Sequence, residues 1–167
     1  MNVVVAVFSD WGIGCSGTQQ IVLPEDRAYF KEVTNGGVVI CGRRTFEDFN
    51  KPLPNRRNII LTGDRNFSVD GATVVHSPAE VFAEIADEDP NKVFIIGGES
   101  VYRTFLPACK FAYVTTIYIA PESDTFLPNL DETPNWTLVN RGEVHESGGI
   151  KYSFDLYQNN AVEEIHV

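Results

Sequence analysis

The chain has 167 residues, 43% of them apolar and 22% charged, with a formal net charge of −10. That length suits one domain with a real core, and the composition is ordinary for a globular protein. The acid surplus argues against a general nucleic-acid binder, which needs clustered Lys and Arg, and against docking on an anionic membrane; its plainest meaning is solubility.

No stretch approaches the roughly 20 apolar residues of a membrane span. The start, MNVVVAVFSD, lacks a basic region, and its apolar run is too short for a signal peptide. Cys15, Cys41 and Cys109 are odd in number and far apart, with no CxxC or Cys/His cluster to suggest a metal. Reduced thiols in a cytoplasmic protein are the simplest reading.

Strand-like and helix-like segments alternate. VVVAVF (3–8) is a continuous, β-branched run, as expected for a strand buried on both faces. A polar, Gly-rich loop, SDWGIGCSGTQQ, follows. Pro24 suits a first helical turn, and Gly36-Gly37 ends that helix. VVIC (38–41) is a second buried strand, GRRTFEDF opens a short helix, and KPLPN stops it. NIILT (58–62) and TVVH (73–76) are the third and fourth strands. SPAEVFAEIA starts a helix with Ser77 as N-cap, Pro78 at the first position and Glu80 at the third, a capping-box pattern. VFIIGG (93–98) is a fifth strand running into glycines, with the helix ESVYRTFL behind it. FAYVTTIYI (111–119) is a sixth, and TLVNRGEVHES and KYSFDLYQ are two closing antiparallel strands joined by Gly148-Gly149. This order predicts an α/β fold, a parallel sheet with helices on both faces and an antiparallel edge. Ligands in such sheets bind at the carboxyl ends of the strands. The domain is expected over residues 1–160, with 161–167 as a C-terminal tail.

Four segments could carry chemistry. In VFIIGGESVY a strand ends in Gly97-Gly98 and a helix begins at once, so backbone N–H groups could meet a phosphate; tight strand-to-helix packing explains the same pair without a ligand. In VVICGRRTF, Arg43, Arg44 and Thr45 open a helix and make either an anion site or a solvated basic turn. Arg56-Arg57 after LPN reads equally as surface charge. In LPEDRAYFKEVT, Asp26 heads an apolar stripe with Tyr29, Phe30 and Val33 at i+3, i+4 and i+7, while Arg27 and Lys31 fall outside it. Asp26 either complements the helix dipole or faces a pocket, where burial would raise its pKa and let it assist protonation.

In order and spacing, Gly12-Ile13-Gly14, LPEDRAYFK, GRRTFEDF, PLPNRRNIILT, IIGGESVYRTFLP, YVTTI and SDTFLP resemble the dihydrofolate reductase family, over about Val3 to Tyr157. The resemblance implies a mostly parallel eight-stranded twisted sheet with an antiparallel C-terminal strand. It implies NADPH-dependent reduction of dihydrofolate, with hydride passing from nicotinamide C4 to pterin C6 and a proton reaching N5. Asp26, Thr115 and Tyr102 would form the catalytic set. Asp26 would bind the pterin N3 and 2-amino edge, supported by Thr115, and tune the ring while a water delivers the proton. Val5 and Ala6 would floor the pocket, Phe30 would pack on the pterin, and Phe49 and Leu53 would flank the aminobenzoyl ring. Arg56, or Arg57 beside it, would pair with the glutamate α-carboxylate.

For NADPH the resemblance implies Gly42, Arg43, Arg44 and Thr45 at the phosphates and Leu61, Thr62 and Gly63 beside the adenosine, with Arg65 adding charge. Gly97, Gly98, Glu99, Ser100 and Val101 would lie beneath the pyrophosphate, with a cis peptide bond between the two glycines. Tyr102, Ile13 and Gly14 would border the nicotinamide, with Ala6 and Ile96 at its junction with the pterin. Ile21 stands where the family usually has a tryptophan beside the pterin, and Gln20 where it has a proline; Trp11 is near in sequence. Glu99 brings a negative charge toward the phosphates and is expected to weaken NADPH binding modestly. A monomer in the cytoplasm, with no nucleic-acid or membrane partner, is expected. The rival readings are the riboflavin-pathway pyrimidine reductase, which shares the fold, and an NADPH-binding interaction module without turnover.

Overall fold

The computed structural model describes residues 1–164. The first half runs β1 (Asn2–Phe8), β2 (Gly12–Gly14), α1 (Pro24–Thr34), β3 (Val38–Gly42), α2 (Arg43–Phe49), β4 (Arg57–Leu61) and β5 (Ala72–Val75). The second runs α3 (Pro78–Glu84), β6 (Val93–Ile95), α4 (Glu99–Phe105), β7 (Phe111–Ile117), β8 (Thr125–Phe126), β9 (Trp136–Arg141), β10 (His145–Ser147) and β11 (Ile150–Asn159).

The main sheet is ordered β10-β11-β7-β1-β6-β3-β4-β5, and β9 also pairs with β11. Strands β7, β1, β6, β3, β4 and β5 are mutually parallel, and β11 runs antiparallel to β7. The expected first closing strand, TLVNRGEVHES, is two: β9 and β10 lie end to end along β11 and fill one position, so the sheet is eight positions wide. The break has a local cause. A side chain at Gly142 would collide with the Phe154 carbonyl oxygen, and the Gly142 N–H turns to the Asp155 carboxylate at 3.1 Å. Asp155 is buried, and it also accepts from Thr116, Arg141 and Ser153.

Strand β1 is buried on both faces, as its unbroken apolar run requires. Its side chains alternate with period two. Val3, Val5 and Val7 join Val81 of α3 and Val101 and Phe105 of α4 in one core. Val4 joins Phe46 of α2 and Phe30 and Val33 of α1 in a second, and Ala6 and Phe8 meet Leu23 and Ile21 in a third. One face therefore carries α3 and α4, and the other carries α1 and α2.

The helix ends follow their sequence signals. Pro24 opens α1 and Gly36, at φ +77°, lies just past its end. Ser77 caps α3, its hydroxyl accepting the Glu80 N–H at 3.2 Å. The Glu80 carboxylate takes the His76 N–H at 2.6 Å, one residue before the partner a capping box uses. Of the expected tail, the Glu163 N–H bonds the Pro107 carbonyl at 2.9 Å; residues 165–167 lie outside the described residues.

Candidate active site

A cleft of about 1710 Å³ opens at the carboxyl ends of β1, β3, β4 and β6. Drug-sized ligand pockets run to roughly 1,000 Å³, so there is room here for two ligands side by side. Its floor is Val4, Val5 and Ala6 of β1 with Ile96 just past β6.

Asp26 of α1 lines one end. Its Oδ1 accepts a 2.6 Å hydrogen bond from Thr115 Oγ1. Thr115 is buried in β7, directly opposite Ala6 of β1 and Phe154 of β11, so all three point to the α1 face. Tyr29, one turn after Asp26, stacks on Phe154 with ring centroids 4.0 Å apart. These two contacts dock the start of α1 on the sheet. Burial raises the Asp26 pKa above the ordinary carboxylate value, and the Thr115 hydrogen bond opposes that rise. An acid kept from full solvation, at the mouth of an apolar pocket, is suited to hold a cationic or amidine-like edge.

Beside Asp26, Phe30 and Phe49 stack loosely at 6.5 Å, and Leu53 completes the apolar wall. Arg56 lies over the Phe30 ring at 5.9 Å and donates to the Pro54 carbonyl and to Thr34 Oγ1. Arg57 points elsewhere: it donates to the Glu84 carbonyl and pairs with Glu84 and Glu88 around α3. Of the two adjacent arginines, Arg56 alone lines the cleft.

The other end is built from the starts of α2 and α4. Gly42, Arg43, Arg44 and Thr45 lie along it, facing Gly97, Gly98, Glu99, Ser100, Val101 and Tyr102, with Leu61, Thr62 and Gly63 at the far rim. The Gly97–Gly98 peptide bond is cis, as the resemblance implies. A side chain on Gly97 would meet the Tyr102 ring at 3.3 Å and Thr45 Oγ1 at 3.5 Å, and one on Gly98 would meet Thr45 Oγ1 at 3.4 Å, so either would fill part of the groove. The two basic residues differ. Arg43 is bound to Glu47 at 2.6 Å and Asp64 at 2.8 Å and covers the Phe67 ring. Arg44 makes no ion pair among the described residues and lies against the backbone of Gly17, where a side chain would collide with its guanidinium. Tyr102 is buried, and its hydroxyl donates to the Val4 carbonyl at 2.8 Å. Burial pushes its pKa far up, so it stays a neutral donor. Arg65 does not line the cleft.

Ile13 and Gly14 reach the cleft from β2, which pairs with β8. The segment after β2 is braced by distant residues: Ser16 N–H donates to Asp124 at 2.9 Å, Asp124 N–H to the Gly14 carbonyl at 2.9 Å, and Thr125 Oγ1 to the same carbonyl at 3.1 Å. Glu99 ties this brace to α4, accepting the Phe126 N–H at 2.6 Å, while Arg103 donates to the Phe126 carbonyl at 3.1 Å.

The expected site residues line the cleft except for Arg65, for Arg57, the alternative to Arg56, and for Thr115, which stands behind Asp26. The structure adds Ser16, Gly17, Thr18, Gln19 and Val22 of the loop, Asp124 and Thr125 of its brace, and His76. His76 Nδ1 lies 2.8 Å from the Thr62 carbonyl, which can only accept, so that nitrogen carries its proton. Arg27 and Lys31, off the apolar stripe, also line the cleft. Ile21 packs under the loop against Phe8 and Leu23, and Val22 takes the place at the rim. Trp11 does not substitute for the missing tryptophan: it is buried in the core on the α3/α4 face, edge-on to Tyr157 at 5.7 Å. Among the described residues no cluster of His, Cys, Asp and Glu could hold a metal.

A family model described as dihydrofolate reductase matches residues 1–159. A dihydrofolate reductase of Bacillus subtilis is 38% identical over 138 residues, covering 81% of this chain and 80% of that one. One from Staphylococcus haemolyticus is 34% identical over 160 residues, covering 95% of each. Among solved structures, the dihydrofolate reductase from Enterococcus faecalis complexed with NADP(H) and RAB-propyl superposes with a TM-score of 0.82, at 34% identity over 95% of each chain.

Proposed function

The chain belongs to the dihydrofolate reductase family, and we infer from that premise that it reduces dihydrofolate to tetrahydrofolate with NADPH. When bound, NADPH supplies the hydride. The remaining work falls to the chain: it aligns two flat rings in one cleft, keeps water off them and holds a proton donor system beside the substrate.

The observation that carries this reading is the half-buried Asp26 carboxyl, tied to Thr115 at one end of a two-ligand cleft. Asp26 takes the pterin's 2-amino and N3 edge, and Thr115 sets the orientation of its carboxylate. The raised pKa lets Asp26 hold a proton closer to neutral pH than an exposed aspartate does. Val5, Ala6 and Ile96 floor the ring, Phe30, Phe49 and Leu53 wrap the aminobenzoyl group, and Arg56 takes the tail's α-carboxylate.

The opposite end fits a phosphorylated dinucleotide. Its side-chain-free Gly97–Gly98 wall faces Thr45, and Arg44 makes no ion pair among the described residues. On this reading Arg44 meets the phosphates directly, while Arg43 is the outer, acid-bound member of the pair and Gly42 the bend before it. Leu61, Thr62 and Gly63 border the adenosine; Ser100 and Val101 start the helix under the pyrophosphate; Ile13, Gly14 and Tyr102 enclose the nicotinamide.

The cleft is complete within one chain, which supports a monomer, and three unpaired thiols suit a reducing cytoplasm. The test is NADPH oxidation followed by absorbance, with dihydrofolate present and absent. Oxidation that requires dihydrofolate is expected. NADPH binding without turnover would favour an interaction module instead, and turnover only with a ribosylaminopyrimidine phosphate would favour the pyrimidine reductase.

A further inference from the structure

Arg43 is the outer of the two arginines at the start of α2, and it lines the cleft. Three partners hold its guanidinium. Nε donates to Glu47 at 2.6 Å, Nη1 donates to Asp64 at 2.8 Å, and Cζ lies over the Phe67 ring at 4.4 Å from the centroid. That ring is set in turn, edge-on to the buried Phe46 at 6.4 Å. Asp64 is fixed as well: its carboxylate also accepts the Asn66 N–H at 2.9 Å, and its own N–H bonds Thr62 Oγ1 at 3.2 Å. The Asn66 N–H, with Arg43 adding to it, holds the Asp64 carboxyl below the ordinary aspartate value.

Neither Glu47 nor Asp64 lines the cleft. Both stand behind the arginine, so an anion entering the cleft meets one positive charge already opposed by two negative ones. Coulomb energy falls only as the inverse of distance, so these acids also act on a charge bound in front of Arg43. A network held at this many points differs from a lone surface pair, which rearranges at little cost.

The place matters. Asp64 directly follows Leu61, Thr62 and Gly63, the rim that borders the adenosine on the reading above. NADPH and NADH differ in one group, the phosphate on the 2′-oxygen of the adenosine ribose. That phosphate carries about −1.5 to −2 charges at neutral pH. An unopposed arginine facing it favours NADPH by roughly ten- to a hundredfold. A neighbouring acid favours the free hydroxyl of NADH. Here one place holds both kinds of group. Of the other nearby cations, Arg44 lies against Gly17 and Arg65 does not line the cleft.

We propose that Glu47 and Asp64 set the cofactor preference: by opposing Arg43 they leave the protein with a shallow discrimination between NADPH and NADH, so that NADH also serves as reductant. This rests on the reading of this end of the cleft as the dinucleotide's.

The test is the dissociation constant of NADPH and of NADH, each by fluorescence titration at one low salt concentration, for the native protein, D64N/E47Q and R43Q/D64N/E47Q. The native protein is expected to bind NADPH less than about tenfold tighter than NADH. In D64N/E47Q NADPH should tighten about three- to tenfold, while NADH stays within about twofold. Adding R43Q should remove that gain. NADH is the control for folding, since a damaged fold weakens both cofactors, and D64N and E47Q singly should each give part of the shift. A native preference of about a hundredfold or more, or a ratio of the two constants unchanged in D64N/E47Q and in both single variants, would overturn the inference while leaving the cofactor reading intact. Binding of neither cofactor to the native protein would overturn that reading, and the inference with it.

Discussion

Thr115 Oγ1 donates a 2.6 Å hydrogen bond to Asp26 Oδ1 across 89 residues of sequence. The bond favours the charged carboxylate, and burial favours the neutral one. Thr115→Val keeps the shape and removes the donor. Its expected cost in stability is about 1–2 kcal/mol, that of a buried acceptor left unpaired. Without the opposing bond, the Asp26 pKa rises further. Turnover that declines as Asp26 loses its proton should then decline at higher pH than in the native protein. A pH–rate profile checks this, and a shift to lower pH would contradict it.

The same carboxyl affects stability with a definite sign. Because its folded-state pKa is raised, the folded protein binds more proton than the unfolded chain just above the ordinary aspartate range. Stability therefore falls as pH rises through that window. Asp26→Asn removes the dependence. The variant should be more stable than the native protein at neutral pH, on the order of 1 kcal/mol, and lose that advantage in acid. Thermal melts at neutral and acidic pH measure both.

Arg56 and Arg57 separate cleanly. Arg56 lies in the cleft over Phe30, and Arg57 is bound to α3. Arg56→Gln should raise KM for dihydrofolate about tenfold with little change in kcat, the loss of one charge-assisted pair. Arg57→Gln should leave KM alone and cost less than about 1 kcal/mol of stability. Steady-state kinetics and denaturant melts on the two variants decide the assignment.

Glu99 has two effects that substitution can part. Its carboxylate holds the Phe126 N–H, and its charge lies on the cleft wall, at the end proposed to take the phosphates. Glu99→Gln keeps an acceptor and removes the charge, so NADPH should bind a few-fold tighter, about 0.3–1 kcal/mol, at unchanged stability. Glu99→Ala also frees the N–H and should cost about 1 kcal/mol of stability. Fluorescence titration with NADPH, beside thermal melts, reads both.

The sequence made local features legible and left the long-range ones hidden. Asp26 at the head of the stripe Tyr29, Phe30 and Val33 was readable because i+3, i+4 and i+7 is one helix face. Arg27 and Lys31 were not, because a wheel marks the face that meets the core and says nothing of a cleft running along its edge. The brace from Asp124 to Ser16 spans 108 residues, and no local pattern announces it. The split of TLVNRGEVHES turned on Gly142, whose need to be glycine comes from Phe154 on the neighbouring strand. Arg56 and Arg57 are equivalent as residue types; the acids of α3 that engage Arg57 distinguish them.

The measurement that tests the central claim most directly is dihydrofolate-dependent oxidation of NADPH by the native protein and by Asp26→Asn at neutral pH. The expected result is turnover that needs dihydrofolate in the native protein and falls about 100-fold in the variant, with NADPH binding retained. Equal turnover in the two proteins, or none in the native one despite bound NADPH, would contradict it.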